Sequence, residues 1–119
     1  EKHEANLRPA LHKGPIIKYN VNQRYATTAV TASVIRVVAE KHKIPLQEFG
    51  VRNDSPCGST IGPILSAKLG ISTVDVGGPQ LSMHSIREMC CTSSIHQCTE
   101  LYKNFFVDFP GIQKSFVGI

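Results

Sequence analysis

The sequence has no long apolar run. None of the hydrophobic stretches in its 119 residues approaches the roughly 20 residues that a membrane-spanning helix needs. The first residues, which include Glu1, Lys2 and Glu4, do not form the apolar core of a secretory signal peptide. We therefore expect a cytoplasmic protein that has no membrane partner.

Clustered positive charge is also missing. The 13 lysines and arginines exceed the 9 aspartates and glutamates by four, but they are spread along the chain. Proteins that bind nucleic acid concentrate basic side chains on one face, or interleave them with aromatic residues on which bases stack. Nucleic acid is therefore not an expected partner.

The cysteines lack the spacing of a metal site or a disulfide framework. There are four of them, they form no C-x-x-C pair, and Cys90 and Cys91 are adjacent. We expect free thiols, with Cys90 and Cys98 packed as small hydrophobic side chains on one face of a helix.

What the sequence does contain is a regular succession of strand-like and helix-like segments. Apolar runs bounded by proline, glycine or asparagine predict strands, and apolar residues at helical spacing predict helices. The predicted strands are 15–19, 46–52 and 71–76, and the predicted helices are 28–42, 60–69 and 86–107. This alternation predicts an α/β fold, a layered sheet of three or more strands, parallel or mixed, with flanking helices.

A histidine lies where the third predicted strand gives way to the closing helix. The Gly77–Pro79 run ends the strand, and Ser85 and Glu88 have the Ser-x-x-Glu spacing of a helix capping box. His84 is then expected just before the first helical turn, at the carboxyl end of a strand, where open α/β sheets keep their ligands. Taken alone, the pattern also fits a solvated histidine, because no second metal ligand lies at close spacing.

Two longer blocks of sequence carry more information than this spacing. They are VRNDSPCGSTIGPI at residues 51–64 and PQLSMHSIREM at residues 79–89. Both closely resemble the C-terminal part of aspartyl aminopeptidases, the M18 family of metallopeptidases, and shorter matches extend the resemblance from Glu1 to about Phe109. The resemblance implies that residues 1–119 are the C-terminal portion of a zinc-peptidase catalytic domain, without its N-terminal portion and its inserted oligomerisation domain.

The resemblance also implies a two-zinc site. Family members hold two metal ions, usually zinc, through a bridging aspartate, two histidines and further carboxylates, and they use a glutamate as general base. His84 matches one metal-ligating histidine, and neutral imidazole is a good zinc ligand. The other ligands and the general base are expected upstream of Glu1, so the chain is expected to contain one metal ligand and no catalytic residue.

The substrates implied by the resemblance are peptides with an acidic N-terminal residue. Lys18 matches the family lysine that supplies the countercharge, and Tyr25 matches a tyrosine that lines the same site and can donate a hydrogen bond. Without the family, Lys18 also fits a solvent-facing strand residue and Tyr25 a packing residue. We expect both to meet His84 at one cleft, although 66 positions separate Lys18 from His84.

The predicted function is a metal-dependent aminopeptidase that releases N-terminal Asp or Glu, with this chain supplying one ligand and part of the pocket. Its expected partners are the rest of the same enzyme and, by family resemblance, further copies in a homo-dodecamer. Alone, the chain is expected to be inactive and to expose apolar faces at Val30, Val34, Ile64 and Leu65. The alternative is a non-catalytic regulatory or interaction module derived from the same family.

Overall fold

The computed structural model describes residues 7–20, 22, 24–51, 54 and 58–116. The helices of this part of the chain are α1 (Ala29–Lys41), α2 (Gly62–Leu69) and α3 (Thr92–Gln113). Its strands are β1 (Ile16–Tyr19), β2 (Gln47–Gly50), β3 (Val76–Gly77), β4 (Gln80–Leu81) and β5 (Met89–Cys90). The predicted α/β class, a small sheet with flanking helices, is confirmed.

Strand β1 is the centre of a mixed sheet in the order β2-β1-β3. It pairs in parallel with β2, which puts Lys18 beside Phe49, and antiparallel with β3, which puts Ile16 beside Gly77. Because successive side chains of a strand point to opposite faces, Ile16 and Lys18 share one face and Ile17 lies on the other. The first strand therefore offers one face to the core and one to a site.

The core lies on the Ile17 face, under α1 and α3. Ile17 and Leu101 are fully buried, in one cluster with four apolar residues of α1. Because α1 is rich in β-branched residues of modest helix propensity, its stability depends on this packing. A capping box fixes its start, since the Thr28 hydroxyl accepts a hydrogen bond from the Thr31 N–H at 3.1 Å.

A polar cluster joins the end of α1 to α3. The Asp108 carboxylate lies 2.6 Å from Nε2 of His42 and 3.4 Å from Nζ of Lys41. The hydrogen bond with His42, assisted by Lys41, lowers the pKa of Asp108 below its ordinary value. The carboxylate form of Asp108 therefore strengthens the packing of the two helices.

This cluster should weaken the fold in acid. A carboxyl whose pKa is lower in the folded state contributes stability above its unfolded pKa of about 3.9, and loses it as the pH falls through the folded pKa. We expect Asp108→Asn to lower the thermal midpoint between about pH 5 and 7, and the difference from the unsubstituted protein to shrink below about pH 4. Thermal unfolding followed by circular dichroism measures both; a difference that stayed constant into acid would contradict this role.

The third predicted strand is shorter in the structure. Of residues 71–76, only Val76 belongs to β3, which it forms with Gly77. The reason is that Asp75 accepts a hydrogen bond from the Ala26 N–H through its side chain and donates its own N–H to the Thr27 hydroxyl. These groups are engaged by a loop and do not extend the strand ladder.

The prediction of a closing helix at 86–107 places its start and its end too early, because α3 spans Thr92–Gln113. The predicted capping box of Ser85 and Glu88 is wrong, since β4 and β5 pair antiparallel and make residues 80–90 a hairpin. Within its turn, Glu88 accepts a hydrogen bond from the N–H of His84. Polar side chains at this spacing close a turn as readily as they cap a helix.

The predicted apolar exposure holds at three of four positions. Val30, Ile64 and Leu65 are exposed, whereas Val34 is 4% exposed, so its predicted exposure is wrong. The spacing of Val34 from Val38 and Ile35 puts it on the core side of α1. Within the described ranges, no helix is both long enough and apolar enough to cross a membrane.

The cysteine prediction holds in part. Cys90, Cys91 and Cys98 are free thiols, and Cys57 lies outside the described residues. Cys90 is not packed in a helix: it lies on β5 and is exposed, because the hairpin stands away from the core. Of these three described cysteines, Cys91, the residue before α3, is the buried one.

Candidate functional site

A cavity of about 570 Å³ lies against the sheet face opposite α1 and α3. Ile16 and Lys18 of β1 and Phe49 of β2 form its floor. The loop before α1, the turn before α2 and the β4–β5 hairpin complete its walls. The other lining residues are Pro9, Ala10, Leu11, Tyr25, Val51, Gly58, Ser59, Thr60, Gly78, Pro79, Gln80, Leu81, Met83 and His84.

The cationic group of the cavity is held by an aromatic ring. Nζ of Lys18 lies 5.7 Å from the ring centroid of Tyr25, within range of a cation–π contact. The Tyr25 ring meets Phe49 edge-on, with centroids 6.2 Å apart and planes at 64°. A side chain at Gly77 would put its Cβ 3.1 Å from Cε of Lys18, so the glycine leaves room for the lysine. The arrangement keeps a positive charge beside an aromatic wall.

His84 reaches the cavity from the hairpin. Its φ of 69° and the φ of 54° at Ser82 lie in the left-handed region, which costs a non-glycine residue of order 1–3 kcal/mol. The Ser85 N–H donates to the Ser82 carbonyl at 3.0 Å, and Glu88 accepts from the His84 N–H. These bonds hold the strained turn that points the histidine into the cavity.

The segment before β1 forms a further wall. The side-chain amide of Gln47 accepts from the N–H of Ala10 at 2.8 Å and donates to the Ala10 carbonyl at 2.9 Å, as a neighbouring strand would. Beside it, the His12 N–H donates to Sγ of Cys91 at 3.1 Å. Hydroxyls at the start of α3, that of Ser93 first, lower the pKa of the Cys91 thiol to about 6. This wall is thereby fastened to β2 and to α3.

The donor set of this part of the chain fits one position of a metal site. His84 lines the cavity, whereas the other described histidines, His12, His42 and His96, do not. Among the described residues, no group of three or more His, Cys, Asp or Glu side chains is placed to hold a metal ion. An exposed imidazole in a rigid turn suits a zinc ligand whose partner ligands come from other residues.

All three residues predicted from the sequence line the same cavity: Lys18, Tyr25 and His84. The sequence did not predict Phe49, or the two hydrogen bonds between the Gln47 side chain and Ala10, as parts of a site. Phe49 could have been found, because the alternation of β2 places it on the same face as Val51, next to the end of β1. No local pattern predicts the role of Gln47, because its partner Ala10 is 37 positions away in the sequence.

The fold and the cavity define an α/β unit with a cavity on the open face of a mixed sheet. A protein-family model described as "Aminopeptidase I zinc metalloprotease (M18)" matches residues 1–106 of the chain. The chain belongs to the M18 family of peptidases.

Curated relatives bear matching names. An aspartyl aminopeptidase of Caenorhabditis elegans is 62% identical over 88% of this chain and 22% of its own length. A probable aspartyl aminopeptidase of Ricinus communis is 58% identical over 97% of this chain and 23% of its own length. The chain therefore spans about a quarter of the length of the curated relatives it matches.

Solved structures share the fold closely. The cryo-EM structure of the Ape4 and Nbr1 complex matches with a TM-score of 0.94 and 44% identity, over 98% of this chain and 22% of that chain. The structure of the S. cerevisiae mApe1 dodecamer matches with a TM-score of 0.85 and 26% identity, over 98% of this chain and 25% of that chain. The chain thus has the backbone of a segment of these larger proteins.

Proposed function

We propose that this chain is the C-terminal portion of a zinc-dependent aminopeptidase that releases N-terminal aspartate or glutamate from peptides. The observation that supports this function best is the meeting of Lys18, Tyr25 and His84 at one cavity. Membership of the M18 family and the names of its relatives support the same reaction. In this proposal the general-base glutamate and the remaining metal ligands belong to the part of the enzyme that precedes Glu1.

Lys18 binds the acidic side chain of the substrate in this mechanism. A carboxylate that leaves water needs a fixed countercharge, and a charge-assisted hydrogen bond supplies one. The Tyr25 ring restricts the position of the ammonium, and the Tyr25 hydroxyl can donate to a carbonyl or carboxylate of the bound peptide. Together these residues select the N-terminal residue and orient the peptide.

His84 would hold one of two zinc ions through a nitrogen of its imidazole. When bound, such a pair of ions polarises the peptide carbonyl and lowers the pKa of the attacking water. The strained hairpin turn fixes the imidazole relative to Lys18 on β1. Lys18 on the sheet and His84 on the hairpin line the same cavity, so the proposed specificity group and metal ligand face one space.

We further propose that the complete enzyme assembles from identical copies, as a dodecamer like that of the structural relative mApe1. Native mass spectrometry of the enzyme tests this.

A cytoplasmic location is also proposed, in keeping with the free thiols of Cys90, Cys91 and Cys98. Cell fractionation tests that location.

Lys18→Ala in the complete enzyme tests the substrate assignment. Hydrogen bonds to charged groups contribute about 1.5–3 kcal/mol, so we expect kcat/KM for an aspartyl peptide to fall roughly 10- to 150-fold. A peptide with N-terminal alanine, which cannot use the ammonium, should lose much less. Steady-state kinetics on the two peptides measures the ratio.

The matched control for this experiment is Lys68→Ala on the exposed side of α2, away from the cavity. It removes the same charge and should leave both peptides unaffected. An unchanged preference for the aspartyl peptide in Lys18→Ala would show that another group binds the acidic side chain.

A further inference from the structure

Asp75 does not line the cavity, yet it accepts hydrogen bonds from the backbone of Lys18 and from the residue that follows Tyr25. Its carbonyl accepts a hydrogen bond from the Lys18 N–H at 2.9 Å. Its carboxylate accepts one from the Ala26 N–H at 2.7 Å. Its own N–H donates to the Thr27 hydroxyl at 2.9 Å. One residue thus joins β1 to the loop that carries Tyr25.

The bond to Ala26 bears directly on Tyr25. The Ala26 N–H belongs to the peptide group that links Tyr25 to Ala26, so fixing it fixes the backbone rotation that follows the tyrosine. The ring of Tyr25 in turn lies against Nζ of Lys18. A movement of this loop would therefore move the aromatic wall relative to the ammonium.

The carboxylate of Asp75 is confined from a third side by the start of α2. A Cβ at Gly62 would lie 2.6 Å from Oδ2 of Asp75, closer than atoms can approach without displacement. Glycine at this position thus lets the carboxylate lie against the first residue of the helix, whose positive end favours an anion. The contact ties α2 to the same residue as β1 and the loop.

We propose that Asp75 is a positioning residue for acidic-substrate selection, holding Lys18 and Tyr25 in register through the backbone of Lys18 and the Tyr25–Ala26 peptide group. This inference rests on the proposed function, since it concerns the same pocket. It adds a residue that touches neither substrate nor metal. Its effect should therefore appear in substrate binding and selectivity more than in the chemical step.

The test uses the full-length enzyme with peptides that begin with aspartate or asparagine. We expect Asp75→Ala to raise KM for the aspartyl peptide roughly 10-fold relative to the asparaginyl peptide, with kcat changed by less than about threefold. Asp75→Asn keeps a carbonyl oxygen for the Ala26 N–H and should restore most of the selectivity. Gly62→Ala, which displaces the carboxylate from the other side, should reproduce the loss.

Two control variants separate positioning from general destabilisation. Gly111→Ala is the same substitution in α3, where the new Cβ would have nothing within 4 Å apart from its chain neighbours and its own helix backbone, and it should leave both KM values unchanged. Asp108→Asn removes a carboxylate that stabilises the fold elsewhere and should lower the thermal midpoint without changing the KM ratio. An equal change for both peptides in Asp75→Ala, or no rescue by Asp75→Asn, would overturn the inference.

Amide hydrogen exchange gives a readout that does not depend on activity. Exchange at Ala26 and Thr27 should quicken in Asp75→Ala and stay slow in Asp108→Asn. If Asp75→Ala does not fold, the same kinetics and hydrogen exchange can be measured on Gly62→Ala and Thr27→Val. An inactive unsubstituted enzyme would overturn the proposed function, whereas an active one with unchanged loop exchange in the Asp75 variant would overturn this inference alone.

Discussion

Replacing His84 by alanine should abolish nearly all activity of the complete enzyme while leaving its assembly intact. Substitution of residues that only support a metal ligand costs roughly 10- to 100-fold in metal affinity or activity, so loss of a direct ligand should exceed about 100-fold in kcat. The histidine side chain is exposed on a hairpin and contributes little to the core. Zinc content per chain, measured alongside kcat, should fall in parallel.

His96→Ala is the matched control, because this histidine is exposed on α3 and does not line the cavity. It should retain full activity and full zinc content. Native mass spectrometry should give the same assembly for both variants. If the His84→Ala enzyme kept its zinc and its kcat, His84 would not be a metal ligand. The cavity would then have a role in peptide binding only.

The helices and strands that local chemistry specifies could be predicted from the sequence. Helix α1 begins at a threonine cap and ends just before Pro45, and its bounds differ from the prediction by one residue at each end. Helix α2 ends at Gly70, whose φ of 64° suits glycine. Strands β1 and β2 lie within their predicted segments because their apolar residues alternate between turn residues.

The hairpin could not be predicted in the same way. Strands β4 and β5 have two residues each, too few for any period to show. Their pairing depends on the register of Gln80 with Cys90, which is a tertiary property. The Ser-x-x-Glu spacing of Ser85 and Glu88 then favoured a helix cap, whereas the structure uses Glu88 to close the turn around His84.

The candidate site was predictable only where family resemblance supplied it. From composition and spacing alone, Lys18 also fits a solvent-facing strand residue and Tyr25 also fits a packing residue. The loop that carries Tyr25 is bonded to Asp75, which is 49 positions from Ala26 in sequence and carries no local signal of the contact. Long-range hydrogen bonds of this kind join segments that are distant in sequence, so no local pattern reveals them.

The separate 119-residue chain should show no aminopeptidase activity. A two-metal site needs several carboxylates and histidines. Among the described residues His84 is the histidine of the cavity, and one imidazole provides too few donors to retain zinc or to lower the pKa of a water toward neutrality. Incubation with zinc and an aspartyl peptide should therefore give no hydrolysis above the buffer blank. Equilibrium dialysis should likewise leave the chain with far less than one zinc ion per molecule.

Exposed apolar surface should make the separate chain associate. Ile61, Ile64 and Leu69 on and beside α2 are 73%, 57% and 62% exposed. Contiguous apolar surface of this kind marks a face that another part of a protein covers. Mixing the chain with the preceding portion of the enzyme should suppress association and restore zinc binding and activity together, and the His84→Ala chain should restore solubility without activity.

The same experiment separates the enzyme from the alternative of a non-catalytic module. If the chain is a portion of an enzyme of its relatives' length, the intact mass of the native protein should correspond to several hundred residues more than the 119 of this chain. A native protein that begins near Glu1, stays monomeric and binds no zinc would support the module. Zinc-dependent release of aspartate by the purified chain would contradict both, because a residue outside the proposed set would then have to bind the metal.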